Sequence, residues 1–142
     1  MIILDTTVLA YAVGGDHPLR DPCRRLLMAH GDGRVEAATT VEVIQEFAHI
    51  RARRMGRFEA VRLARQYAAA FSLLVATPDD LERGLGLFEL FPALGAFDAV
   101  LAAIAIDRRA EALVSADRAF ASVPGLRWID PATPTLERLI GS

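Results

Sequence analysis

Four carboxylates in this chain stand where chemistry could be built: Asp5, Glu46, Asp98 and Asp117. Asp5 directly follows the apolar run IIL, and Asp117 comes just after ALVS. In an open parallel sheet, reactive groups gather beyond the carboxyl ends of strands near the point where strand order reverses. Central strands at those two runs would therefore put both acids on one rim. Glu46 lies at the margin of a helix's apolar arc, with Glu42 one turn earlier on the same side. Asp98 opens a very apolar helix, where the dipole favours a carboxylate. Taken singly, each acid has a plain structural use: Asp5 and Asp117 as helix caps, Asp98 as a dipole-matched acid, Glu46 as a solvated helix residue. Brought together, they would repel one another unless some were protonated or a divalent cation bound them. Oxygen-only donors suit Mg²⁺, with Mn²⁺ as a substitute. Softer metals are disfavoured, since Cys23 is the only cysteine and His17, His30 and His49 are scattered without a ligand motif.

The elements needed to position these acids can be read from the pattern. Residues 2–4 form a short strand, and Asp5-Thr6-Thr7 supplies N-cap chemistry for a helix to about Val13. Pro18 can open a helix that Gly31-Asp32-Gly33 closes, before a strand over 35–38. Thr39 and Thr40 cap a long helix ended by Gly56, and a further helix over 58–71 leads to a strand within 73–77. Pro78-Asp79-Asp80 starts a helix to about Phe91. A helix over 96–109, a buried strand over 112–115, a helical turn over 117–121 and a last strand over 126–129 complete the series. Such alternation predicts an α/β fold, a three-layer α/β/α sandwich with a central, mostly parallel sheet, over one domain spanning 1–142.

Composition narrows the function classes. With 53% hydrophobic residues the chain is core-rich and far from the signature of disorder. A lone cysteine excludes an intrachain disulfide. No apolar stretch reaches the roughly 18 residues of a membrane span and no basic leader precedes Asp5, so a cytoplasmic protein without membrane contact is expected. The net charge of −2 speaks against a general coat for nucleic acid but allows a local basic patch.

The motifs carrying these acids resemble the PIN-domain ribonucleases. IILDTTVLAY is similar to that family's first motif, TTVEVIQEF to the second with Glu46, LGAFDAVLAAIA to the third with Asp98, and LVSADRAF to the fourth with Asp117. The order and spacing match over nearly the whole chain. Length and the TTVEVIQEF helix resemble most the VapC-type toxins of bacterial toxin–antitoxin pairs. Ser115 and Ala116 stand where relatives often carry Thr and another small residue, and Glu42 competes with Glu46 as the helix acid; Glu46 is the assignment taken here.

The resemblance implies an Mg²⁺-dependent endoribonuclease, an RNA substrate, a cognate VapB-type antitoxin and a homodimer. Asp5 and Asp98 would be direct ligands, with Glu46 and Asp117 binding metal or its waters and one of them orienting the attacking water. Thr6, Glu42 and Ser115 are accessory candidates. Arg51, Arg53, Arg54 and Arg57 read equally as a grip on RNA phosphates or as cations matched to a helix C-terminus. Two alternatives remain open: a non-catalytic PIN-like module binding RNA or protein, and a haloacid-dehalogenase-like phosphatase with Asp5 as nucleophile. The latter would want a second acid at position 7 and a lysine, where the chain has Thr7 and no lysine at all.

Overall fold

A computed structural model describes residues 1–141, in the order β1 (Ile2–Leu4), α1 (Thr6–Val13), α2 (Arg20–Gly31), β2 (Ala37–Thr40), α3 (Val41–Met55), α4 (Arg57–Ala70), β3 (Ser72–Leu74), α5 (Pro78–Leu90), α6 (Ala96–Asp107), β4 (Ala112–Val114), a 3₁₀ turn (Arg118–Ser122), β5 (Trp128–Ile129) and α7 (Pro134–Leu139). The strands form one sheet in the order β3-β2-β1-β4-β5, and every pairing is parallel. The chain builds outward from β1 through β2 to β3, then returns to lay β4 on the opposite side of β1. Right-handed crossovers therefore put α1 to α4 on one face and α5 and α6 on the other. The observed pairings agree: α1 packs on α2 and α3, α3 on α4, and α5 on α6. This is the expected three-layer α/β sandwich, and its strand order reverses between β1 and β4.

Both strands at that reversal are wholly apolar and wholly buried. Burial of Ile2, Ile3, Leu4, Leu113 and Val114 stabilises the sheet centre by about 1.5–3 kcal/mol per large side chain. That anchoring fixes where the residues after each strand emerge. On the far face, α6 is buried around most of its girth through Ala99, Leu101, Ala102, Ala103, Ile104 and Ala105. Gly84 lets α5 approach it: a Cβ there would stand 2.7 Å from the Val100 backbone. The close contact holds α6, and with it Asp98, at a set depth.

Several boundaries differ from the sequence expectations. β2 spans Ala37–Thr40, not 35–38, because its register is set by pairing with both β1 and β3. Thr39 is thus a strand residue whose hydroxyl donates to Leu4 O at 2.8 Å, and Thr40 alone caps α3. The second helix begins at Arg20 instead of Pro18, β3 is Ser72–Leu74 instead of 73–77, and α6 stops at Asp107 instead of Arg109. β4 ends at Val114 and β5 covers only Trp128–Ile129. The short α7 had no counterpart in the sequence reading. Cys23 is a free, buried core residue. No helix among the described residues is long and apolar enough to cross a membrane.

Candidate active site

Asp5 follows β1 and Asp117 follows β4, so the pair flanks the reversal of strand order. Asp5 occupies the N-cap position of α1, yet its side chain makes no cap hydrogen bond. Its Oδ2 instead accepts from the Ser115 hydroxyl at 2.6 Å and the Thr7 hydroxyl at 3.0 Å. Each hydroxyl is held from behind by a backbone amide: Asp117 N–H donates to Ser115 Oγ and Ala116 N–H to Thr7 Oγ1, both at 3.0 Å. An amide donor on each oxygen turns both hydroxyl protons toward Asp5. Two crossing relays thus tie the start of α1 to the loop after β4. Trp128 Nε1–H closes the cage from β5 by donating to Ser115 O at 2.9 Å.

The acids sense one another. Burial raises the Asp5 carboxyl, opposed by the Ser115 hydroxyl, the Thr6 amide and the Thr7 hydroxyl and amide. Burial also raises Glu46, countered by Thr6 and reinforced by the charge of Asp5. The Thr6 hydroxyl sits beside Glu46 closely enough to favour its charge without completing a hydrogen bond of normal geometry. Asp98 is pushed up to about 7, first by burial, then by the charges of Asp5, Asp117 and Glu46, and by a hydrogen bond with Asp117. Asp117 also caps the 3₁₀ turn, accepting from Ala119 N–H at 2.9 Å. Its cap reading and its place in the cluster hold together.

Thr7 is the residue that sequence reasoning missed. The sequence assigns cap chemistry to both threonines after Asp5 and names Thr6 alone of the two as an accessory candidate. The structure buries the Thr6 side chain toward Glu46, keeps its backbone amide on Asp5, and gives the hydroxyl contact with Asp5 to Thr7. Spacing held a signal: a residue two past a strand-terminal acid can turn back over the same rim. Ser115, the uncertain accessory, donates the shortest hydrogen bond in the cage. Glu42 lines a separate apolar cleft with Ala76, Phe97 and Val100, and its buried Oε2 has no hydrogen-bond partner. The four arginines are not one patch. Arg51 and Arg54 line a groove that starts at Thr6 and Glu46, Arg57 lies beside Phe58 and Arg62 on another surface, and Arg53 borders neither.

A model of the family described as PIN domain matches residues 2–126. The chain is 50% identical to Ribonuclease VapC7 of Mycobacterium tuberculosis, with 99% of each chain covered. It belongs to the VapC ribonucleases of the PIN-domain family. Ribonuclease VapC13 of the same organism is 28% identical, over 89% of this chain and 98% of its own. Among solved structures, VapC20 of M. tuberculosis, described as a sarcin-ricin loop cleaving toxin, superposes with a TM-score of 0.71 at 17% identity, covering 89% of this chain and 99% of its own. A toxin–antitoxin complex from Klebsiella pneumoniae gives 0.71 at 20% identity, with 92% and 98% covered.

VapC nucleases of the PIN family are metal-dependent, and the donor set here fits a hard cation. All its groups are oxygens, and three of the carboxylates are raised by burial, two of them also by neighbouring negative charge, a strain that a cation relieves. As the side chains stand, no three acids among the described residues are gathered closely enough to ligate one ion directly.

Proposed function

We propose that this chain is an Mg²⁺-dependent endoribonuclease, with Mn²⁺ as a substitute, acting as the toxin of a VapBC-type pair in the cytoplasm. Residues 1–142 are taken as one nuclease domain. The observation that carries the reading is Asp98 at the meeting point of the four acids, its carboxyl raised to about 7 by burial and then by the charges of Asp5, Asp117 and Glu46. In this reading Asp5 and Asp98 hold the ion directly, while Glu46 and Asp117 hold its waters and one of them orients the nucleophile. A bound divalent ion would supply Lewis acidity toward phosphate oxygens and a more acidic water. Ser115 and Thr7 favour the charged form of Asp5 against its burial and fix its direction. Thr6 and Glu42 remain accessory, and Arg51 and Arg54 are the phosphate grips, ahead of Arg53 and Arg57.

The partners follow from the same relatives, several of whose structures are toxin–antitoxin complexes. An antitoxin segment would press apolar side chains into the cleft beside Glu42 and reach the acids with an arginine or lysine. Exposed Leu85 and Phe88 on one side of α5 support a homodimer. The test is a titration of Mg²⁺ and Mn²⁺ against cleavage of a mixed RNA pool, beside expression with and without the small protein encoded next to the gene. Metal-dependent RNA cleavage, growth arrest and its relief by a co-purifying neighbour are expected. A folded, metal-loaded chain that binds RNA and cuts nothing would be a binding module; one that hydrolyses only small phosphoesters would be a phosphatase.

A further inference from the structure

A groove of about 480 Å³ runs between α1 and α3, with Glu46 of the four acids in its lining and Asp16 beside His17. Thr6 and Glu46 stand at its head, and Tyr11, His17, Arg51 and Arg54 line its length. The rings of Tyr11 and His17 are stacked, 4.5 Å between centroids and 27° between planes. Leu19 N–H donates to His17 Nδ1 at 3.1 Å, which fixes the ring's rotation and leaves Nε2 as its free edge. Arg51 buries its Nε without any hydrogen-bond partner. A buried donor left unpaired costs free energy that an incoming anion would recover. Arg54 follows one turn later on the same helix side, exposed to solvent.

We propose that this groove is a subsite for the nucleotide adjoining the scissile phosphate of single-stranded RNA. Its base extends the Tyr11–His17 stack, and Arg51 and Arg54 hold the neighbouring phosphate. The inference rests on the ribonuclease reading above and adds the path by which the strand leaves the acids. A stacked ring pair on the α1 side faces cations on the α3 side of a groove that has Glu46 in its lining, which offers an unpaired strand a surface for a base and a grip for a phosphate. The acids alone would repel that strand. A basic antitoxin segment suits the acids but would meet like charge at Arg51 and Arg54, so this part of the groove favours RNA over such a peptide.

The test uses the full-length chain, a short mixed-sequence single-stranded RNA, and kcat and KM in Mg²⁺ over a range of salt. His17→Ala should raise KM about tenfold and leave kcat within about twofold, as loss of a stacking surface predicts. Arg54→Ala should lower the slope of log KM against log salt by about one. Arg51→Met should do the same; because its Nε is buried, its melting temperature is measured alongside, and the two surface variants decide the matter if it fails to fold. Unchanged KM and salt slope in both surface variants of an enzyme that still cleaves RNA would overturn the subsite. So would a fall in kcat alone, or loss of antitoxin co-purification with RNA affinity kept. A wild-type chain that leaves RNA uncut with either metal would instead fail the ribonuclease reading beneath it.

Discussion

Two aspartates in this molecule are equally out of reach of solvent and are treated in opposite ways. Asp80, in the first turn of α5, accepts from Thr77 N–H at 2.8 Å in a capping box and from Arg108 at 2.6 Å. Burial works against its charge, but the Arg108 and Thr77 contacts outweigh it and hold the carboxyl below its ordinary range. Asp5, at the centre of the sheet, has only hydroxyls and amides around it, and burial wins. One acid is neutralised by the chain itself; the other is held rigid and left short of positive charge. A buried carboxylate that the fold fixes but does not pair favours an external cation, and Asp98 and Glu46, raised beside it, are why these acids are proposed as the site.

The sharpest way to break this contrast is to neutralise each acid in turn. Asp5→Asn and Asp98→Asn should each lower RNA cleavage by about 10²–10³-fold, because loss of metal placement removes several kcal/mol of transition-state stabilisation. Neither should lower the melting temperature of the metal-free chain at neutral pH. Asp80→Asn should do the reverse: it takes the buried charged partner from Arg108, which keeps only Asp107 at 3.4 Å and the Val75 carbonyl, and weakens the capping box, costing about 2 kcal/mol of stability while cleavage per folded molecule is retained. Thermal melts and initial rates on the same preparations distinguish the two. An Asp98→Asn protein that cleaves normally would remove Asp98 from the site.

Next in size is the pH dependence of stability. Asp5, Glu46 and Asp98 all bind protons more tightly in the folded chain than in the unfolded one. Their folded pKa values lie above the unfolded ones, so the metal-free fold loses stability as pH rises from the ordinary carboxylate range of about 4 through about 7. After discounting for solvent around the half-exposed Asp98, the loss should be on the order of 1–2 kcal/mol. Asp80 acts oppositely, its stabilising contribution disappearing only at acid pH. Melts in chelator should therefore peak in mild acid, and divalent ions should flatten the neutral side. A metal-free melting temperature that climbs between pH 5 and 7.5 would mean that the acids are not strained.

Smaller again are the effects of the cage. Ser115→Ala and Thr7→Val each remove one hydroxyl from Asp5 and leave an amide of the loop after β4 without its acceptor. Groups that orient a metal ligand typically matter by about 10–100-fold in affinity or activity. The Mg²⁺ concentration for half-maximal cleavage should rise in both variants. An unchanged requirement would make the hydroxyls bystanders.

How far the site could be read in advance depends on the distance over which its contacts are made. The placement of Asp5 and Asp117 was legible because IIL and ALV are wholly apolar runs, with an acid directly after the first and three residues past the second, a pattern that local burial is enough to explain. The parallel sheet followed from the alternation of elements. The roles of Thr6 and Thr7 were not legible: Thr7 bonds the amide of Ala116 from the other side of the sheet's midline, a contact no local pattern encodes. β2 was misplaced for the same reason, since AATT has little hydrophobic signal and takes its register from two neighbouring strands. The arginine run looked like one patch in sequence, and only the turn of α3 and the break at Gly56, with φ at 86°, direct its members to different surfaces.

The smallest expected effect is also the finest test of the contrast, because Glu42 and Glu46 lie one turn apart on α3 and are the same residue type. Glu46 feels the charge of Asp5 and is among the charges that raise Asp98. Glu42 is not among them. Its buried Oε2 faces the apolar cleft by Phe97 without a partner, so it is neither neutralised like Asp80 nor joined to the acids like Asp5. Glu46→Gln should therefore cut cleavage by at least about tenfold and raise the metal requirement, whereas Glu42→Gln should leave both within about twofold. An amide at position 42 buries no charge, so the melting temperature should hold or rise slightly. Rates across an Mg²⁺ series for the two variants decide it. If Glu42→Gln proves the more damaging, the helix acid belongs one turn earlier, and mutual electrostatic strain among buried carboxylates would not be what marks this site.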